Sequence, residues 1–222
     1  TFTIDFCDDS LHTNGNLSIC GGTYTLSTGD DGMHADGADQ VYGGEITIKT
    51  CYEGIKGQNM EISGGTIDIT ASDDGNGALD YNGTATITGG TLVAAGMSGM
   101  EQNFGSDSTQ GTLMMNLTDN QSGKITLEDA NGNTLVSYTP MREYNSVVIS
   151  CAELSDGSTY TIHTGENSRE VTMEGLVYTD GEVTNAPGQG GGQKPQGGPM
   201  GDNSGDSDNS DNSDRPTLPQ GQ

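Results

Sequence analysis

The sequence contains no tryptophan, and only 30% of its 222 residues are apolar. Glycine, by contrast, occupies 36 positions. A chain of this composition has too few large side chains to fill a broad globular core. It can still fill a narrow, repetitive core with small and medium-sized aliphatic residues.

Basic residues are scarce, because seven Lys and Arg stand against 32 Asp and Glu and leave a net charge of −25. We therefore expect neither nucleic acid nor an anionic membrane surface as a partner, since both require basic surface. No apolar run of about 18 residues is present, so no membrane insertion is expected. The charge balance favours cations as ligands.

The four cysteines lie far apart and include no C-x-x-C pair. Their spacing fits neither a zinc site nor a dense disulfide scaffold. We expect free, buried thiols at Cys7, Cys20, Cys51 and Cys151.

A repeat of about 22 residues organises the first half of the chain. Gly-Gly pairs begin at Gly21, Gly43, Gly64 and Gly89, at spacings of 22, 21 and 25, and apolar residues alternate on both sides of each pair. Alternation with period two is typical of β-strands. The predicted inward columns are Ile19, Val41, Ile62 and Ile87; Tyr24, Ile46, Ile67 and Leu92; and Leu26, Ile48, Ile69 and Ala94.

Three short strands per period predict a solenoid of stacked β-coils, because one coil buries its inner face only against its neighbours. The fold class is therefore all-β, and residues 1–106 are predicted to form a parallel β-helix. A right-handed coil is expected, since parallel crossover connections are almost always right-handed. A fourth inward column is predicted at Leu11, Met33, Ile55 and Met100.

Acidic residues recur in step with the coils. Equivalent positions of stacked coils lie about 4.8 Å apart, so two unit charges there repel by about 3 to 4 kcal/mol at an effective dielectric of about 20. Either solvent screens this surface or a bound cation neutralises it. The predicted ladder is Asp9, Asp31, Glu53 and Asp74, with Asp8, Asp30 and Asp73 beside it.

Calcium is the cation that this ladder favours, because it accepts six to eight oxygen ligands in irregular geometry. Asp36 and Asp80 end the same arcs and are candidates to complete its shell. Magnesium rarely uses an all-protein cage. Zinc prefers nitrogen or sulfur ligands, and His12 and His34 alone do not make four.

One basic column follows the acids, at His12, His34 and Lys56. These side chains either offset the neighbouring acids or contact an anionic ligand whose carboxylate also reaches the metal. Tyr52, which replaces the first acid of the third pair, joins them as a candidate ligand-binding residue.

Several motifs in order carry a family resemblance: D-D-G-M-H-A-D-G, Y-E-G-I-K-G, I-S-G-G-T-I-D-I-T-A-S-D-D-G and T-I-T-G-G-T-L-V-A-A-G, followed by S-Y-T-P-M-R-E-Y-N-S-V-V-I-S. Over roughly residues 5 to 180 the chain resembles the carbohydrate-binding β-helix family of clostridial surface proteins, similar in architecture to calcium-dependent pectate lyases. The resemblance implies binding of acidic pectic polymers and cellulose through a calcium-bearing β-helix at the cell surface. It also implies that the acids of the ladder are the metal ligands.

The pattern changes after the repeats. Residues 107–184 are predicted to form a small antiparallel β unit that caps the solenoid, with a hairpin around Asp129-Ala-Asn-Gly-Asn133. Residues 185–222, rich in Gly, Pro, Asp, Ser and Asn, have too little apolar surface to fold and are predicted to be a disordered tether.

Three functions follow as hypotheses. The favoured one is non-catalytic, calcium-dependent binding of plant cell-wall polysaccharide by an extracellular or cell-surface protein, expected to be a monomer. The second is a calcium-dependent lyase that removes a proton from a uronate by β-elimination, with Lys56 as the base. The third is a structural spacer or adhesin scaffold.

Overall fold

A computed structural model describes residues 1–5, 8–72 and 77–181. The candidate metal ligands Asp73 and Asp74, Cys7 and the predicted tether lie outside these residues. The described chain contains no helix that is long and apolar enough to cross a membrane.

The predicted all-β class is confirmed: the first half of the chain forms a β-solenoid of about four turns with coils of about 22 residues. Parallel pairing of successive coils builds it. The right-handed sense of the coil stays a prediction. The solenoid strands are β1 (Phe2–Asp5), β2 (Leu11–Thr13), β3 (Leu17–Ile19), β4 (Thr23–Ser27), β5 (Met33–Val41), β6 (Glu45–Thr50), β7 (Ile55–Thr70), β8 (Leu79–Tyr81) and β9 (Ala85–Gly96).

The register places the predicted apolar columns one above another. Ile46 pairs with Tyr24 and Ile67, and Ile67 pairs with Leu92. The column that begins at Ile19 is aligned in the same way. Nearly all of these side chains are buried in one continuous core. The period-two alternation therefore identified the inner face of the solenoid correctly.

The second glycine of each pair is required by the backbone. Gly44, Gly65 and Gly90 have φ values of 112°, 94° and 96°, which L residues with a side chain rarely adopt. A Cβ on Gly65 would also lie 2.9 Å from the carbonyl oxygen of Gly44 in the coil below. The Gly-Gly bend thus combines a left-handed backbone with close stacking of coils.

Replacing Gly65 by alanine should lower the free energy of unfolding by about 1 to 3 kcal/mol, the cost of a side chain in the left-handed region, with the steric contact added. Urea denaturation measures this. Gly29→Ala is the matched control, because Gly29 is exposed and a Cβ there meets no atom of the described residues within 4 Å. Equal stability of the two variants would contradict the role given to Gly65.

After residue 111 most strands pair antiparallel around a second core, and only β10 and β16 pair parallel among the described strands of this region. The strands are β10 (Thr112–Gln121), β11 (Ile125–Glu128), β12 (Thr134–Tyr138), β13 (Tyr144–Ser150), β14 (Thr159–Thr164), β15 (Asn167–Thr172) and β16 (Val177–Asp180). Strand β13 pairs antiparallel with β9, the last strand of the solenoid. Strands β11, β12, β14 and β15 form a separate small sheet, and the predicted hairpin is confirmed as β11 and β12.

Two core predictions are wrong. Met100 is 42% exposed, and Leu79 instead follows Ile55 in the inward column. Cys20 is also exposed, because it directly precedes the Gly-Gly bend at the outer surface. Cys51 and Cys151 are free and buried as predicted, and burial raises their thiol pKa to about 12 and about 11.

Candidate functional site

Backbone hydrogen bonds stack the acidic loops of three coils. The Asp30 N–H donates to the Asp8 carbonyl oxygen at 3.1 Å, and the Tyr52 N–H donates to the Asp30 carbonyl oxygen at 2.8 Å. The neighbouring column is joined through a side chain, because the Asp31 N–H donates to Asp9 Oδ1 at 3.1 Å. The structure therefore brings Asp9, Asp31 and Glu53 onto one side of the solenoid.

The basic column lies directly against this acidic column. His12 pairs with His34, and His34 with Lys56, in the parallel register of β2, β5 and β7. Asp9 Oδ2 lies 2.7 Å from His12 Nδ1 and 3.2 Å from His34 Nδ1. The three basic side chains thus reach across to the acids, each from three residues further along the chain.

Lys56 pairs with the two most buried acids of the site. Its Nζ lies 2.7 Å from Glu53 Oε2 and 3.3 Å from Asp31 Oδ2, and the two acidic side chains are only 6% and 2% exposed. The Lys56 side chain itself is 34% exposed. One half-exposed cation therefore holds two nearly inaccessible carboxylates.

The pKa shifts reflect this arrangement. Burial raises the pKa of Asp31 and of Glu53, only partly offset by Lys56. At Asp9 burial acts in the same direction, but hydrogen bonds from the Asp31 backbone and from the two imidazoles outweigh it and lower the pKa. Burial alone would lower the pKa of Lys56, but the hydrogen bond and charge of Glu53 and the charge of Asp31 raise it above its ordinary value.

The remaining predicted residues lie around this centre. Asp8 and Tyr52 are exposed, and the Tyr52 ring is accessible beside the acidic loop. Asp36 accepts a hydrogen bond from Asn14 and lies 3.9 Å from His34 Nε2. Asp80 pairs with Lys56 in the strand register. This position comes two residues earlier in the coil than the position of Asp36. The prediction that Asp36 and Asp80 end equivalent arcs is therefore wrong.

A cavity of about 200 Å³ opens beside the basic column. The His34 imidazole and the Lys56 ammonium line one side, and Asp36, Gln58 and Asn82 supply further polar groups. The two amides were missed by the sequence analysis, although Gln58 follows Lys56 by two residues and so faces the same side of its strand. The cavity offers both hydrogen-bond donors and hydrogen-bond acceptors around the Lys56 ammonium.

Two larger cavities, of about 510 and 320 Å³, lie in the C-terminal region and share Asn116, Leu117, Thr118 and Arg169. The one cation they share, Arg169, already contacts Asp180 at 3.0 Å. We regard the smaller cavity as the candidate site, because His34 and Lys56, which line it, contact the acids of the ladder.

The carboxylates of the site were compared with the ligands that calcium requires. Carboxylate oxygens of Asp9, Asp30 and Asp31 lie within 4.8 Å of one another. Asp31 Oδ1 is buried and has no hydrogen-bond partner among the described residues. These three acids fit an ion that prefers oxygen ligands, although Asp31 Oδ2 also contacts Lys56 at 3.3 Å. Glu53 is not part of this group and pairs with Lys56 at 2.7 Å.

The fold and the site together define a β-solenoid that carries a polar, charged binding face. A family model described as "carbohydrate-binding domain-containing protein" matches residues 2–101, which include every solenoid strand and the candidate site. This match supports carbohydrate binding and favours a binding role over a catalytic one. Neither the curated proteins nor the solved structures contain a match to the chain.

Proposed function

We propose that this protein binds acidic plant cell-wall polysaccharide through the solenoid face at His34 and Lys56, without cleaving it. The observation that carries the proposal is the small cavity in which the Lys56 ammonium and the His34 imidazole adjoin the amides of Gln58 and Asn82. A uronate ring presents one carboxylate and several hydroxyl groups, and this lining is complementary to both. Tyr52 and His12, exposed beside the same columns, extend the face toward neighbouring sugars.

We further propose that calcium, held by Asp9, Asp30 and Asp31, contributes to this binding. A bound divalent ion reverses the local sign of an acidic surface, and it can bridge protein carboxylates and uronate oxygens. Asp31 Oδ1, which has no hydrogen-bond partner among the described residues, supports this assignment. Asp8, Asp36 and Asp80 stand at the edge of the group as outer candidates, and Asp73 and Asp74 lie outside the described residues.

The raised pKa of Lys56 weighs against a lyase. A base at neutral pH must lose its proton readily, whereas Glu53 and Asp31 hold the Lys56 ammonium in its charged form. A permanently charged Lys56 suits recognition of a carboxylate. The proposed setting is extracellular, at a cell surface, with the protein acting as a monomer.

Retention on polygalacturonate and on cellulose, with and without a calcium chelator, tests the proposal. We expect chelator-sensitive retention on polygalacturonate and no unsaturated product. Unsaturated product would show a lyase, and no retention on either polymer would favour a scaffold. Retention that survives the chelator would refute the calcium contribution alone.

The variant Asn82→Ala should weaken polygalacturonate binding about fivefold, because one hydrogen bond contributes about 1 kcal/mol. Gln58→Ala should act similarly. Isothermal titration calorimetry measures both affinities. Asn131→Ala, in the exposed turn of the β11–β12 hairpin, is the matched control and should bind like the wild type. Unchanged affinity in both cavity variants would place the glycan elsewhere.

A further inference from the structure

We infer that His12, His34 and Asp9 form a binding site for a divalent transition-metal ion of the zinc or cobalt type. This ion belongs to a different class from calcium, although the site shares Asp9 with the proposed calcium group and His12 and His34 with the proposed glycan face. The two imidazoles are supplied by β2 and β5 of consecutive coils, and Asp9 by the loop before β2.

The distances among the three donors carry the inference. A tetrahedral ion with bonds of about 2.0 Å holds its ligand atoms about 3.3 Å apart. Asp9 Oδ2 lies 2.7 Å from His12 Nδ1 and 3.2 Å from His34 Nδ1, and all three donor atoms lie within 4.8 Å of one another. Small side-chain rotations would bring them to the corners of one coordination sphere.

Both imidazoles direct the same nitrogen, Nδ1, toward a single carboxylate oxygen. Their ring centroids are 4.7 Å apart, so two protonated rings would repel each other at close range. A metal ion needs neutral imidazoles. It would satisfy both nitrogens at once while keeping the rings uncharged.

Outer contacts hold the ligands in place, as is usual around metal-binding histidines. The Asp31 N–H donates to Asp9 Oδ1 and thereby orients the carboxylate. Asp36 Oδ1 lies 3.9 Å from His34 Nε2, the nitrogen that faces away from the site. His12 is 44% exposed and leaves an open path for the ion.

Three protein ligands leave the fourth position of a tetrahedral ion open for water or a ligand oxygen. Asp9 supplies a third ligand beside the two histidines, because carboxylate oxygens also bind zinc. Asp9 also belongs to the proposed calcium group. The two kinds of ion would therefore compete for this one carboxylate.

The test is titration of Co²⁺ into the full chain, freed of any histidine tag and of calcium, followed by visible absorption. We expect intense bands of four-coordinate cobalt that saturate at one ion per chain and disappear when Zn²⁺ is added. His12→Gln and His34→Gln should each weaken binding by about 100-fold or more, since even an outer contact is worth about 10- to 100-fold. His163→Gln is the control, because the third histidine of the sequence lies in the separate small sheet beside Glu128.

Weak, six-coordinate cobalt spectra would overturn the assignment, and so would wild-type affinity in His12→Gln or equal loss in His163→Gln. If a variant fails to fold, nitrogen NMR of the wild-type imidazoles decides the matter. Zn²⁺ should then shift the signals of His12 and His34 and leave that of His163 unchanged. Because these measurements contain neither calcium nor glycan, their failure would leave the carbohydrate proposal intact.

Discussion

Replacing Lys56 by methionine should lower the free energy of unfolding by about 3 kcal/mol at pH 7 in calcium-free buffer. The variant leaves Asp31 and Glu53 buried without their shared cation, and removal of one partner from a buried ion pair costs about 3 to 5 kcal/mol. The lower end applies because Lys56 is partly exposed and water screens its charge. Urea denaturation measures the loss.

The loss should shrink as the pH falls. Burial already raises the pKa of Asp31 and Glu53, and removing Lys56 raises both further. The folded variant therefore binds more protons than the unfolded chain, so its stability increases toward acid pH. Lys49→Met, an exposed lysine on β6, should change stability by less than about 0.5 kcal/mol.

A rescue distinguishes this explanation from simple loss of packing. Adding Asp31→Asn and Glu53→Gln to the Lys56→Met variant removes the unpaired charges and should recover most of the lost stability at pH 7. If the triple variant were as unstable as the single one, the ion-pair explanation would be wrong. Calcium should also stabilise the single variant, since an ion bound only to the folded state raises its stability.

The second large effect belongs to Asp39, which is fully buried on β5. Neither carboxylate oxygen has a hydrogen-bond partner among the described residues, and burial raises the pKa to about 7 from 3.8. The folded state keeps this proton between pH 3.8 and 7, where the unfolded chain loses it. The contribution to stability is therefore full below pH 3.8 and is lost as the pH rises to 7.

The expected size is about 4 kcal/mol, at about 1.4 kcal/mol for each unit of pKa. Asp39→Asn removes the titration, so the stability of the variant relative to the wild type should rise by about this amount between pH 4 and pH 8. Thermal or urea unfolding over that range gives the difference. Asp107→Asn, at an exposed position, serves as the control, and parallel pH profiles for wild type and Asp39→Asn would contradict the prediction.

The repeat explains why so much of the solenoid was predictable. Once the Gly-Gly pairs fixed the coil length, period-two alternation placed Ile46, Ile67 and Leu92 in one column, and the structure pairs them. The same spacing put His12, His34 and Lys56 in register. Column membership depends only on counting along the sequence.

Contacts between columns were harder to predict, because they depend on the rotamer that each side chain adopts. The spacing left open whether the bases face the acids, and the structure shows Asp9 shared by His12 and His34. Gln58 and Asn82 carried no motif of their own. They are recognised only because strand stacking places them beside the same cavity.

Asp39 was overlooked although the repeat contained the signal. It is the register partner of Leu17 in one neighbouring coil and of Met60 in the other, so the alignment alone predicts an inward carboxylate. Met100 shows the opposite failure. Its spacing continued a column, but the chain leaves the coil pattern there and the side chain faces solvent.

The antiparallel pairing of β13 with β9 determines how the array could be lengthened by design. A new coil cannot be added after β9, because the edge of β9 that it would pair with is already occupied by the antiparallel strand β13. Duplicating an internal segment of about 22 residues, such as the one that carries His34 and Asp31, would instead add a tier within the stack. Each duplication would add one further set of binding residues to the face and would leave the pairing of β13 with β9 unchanged.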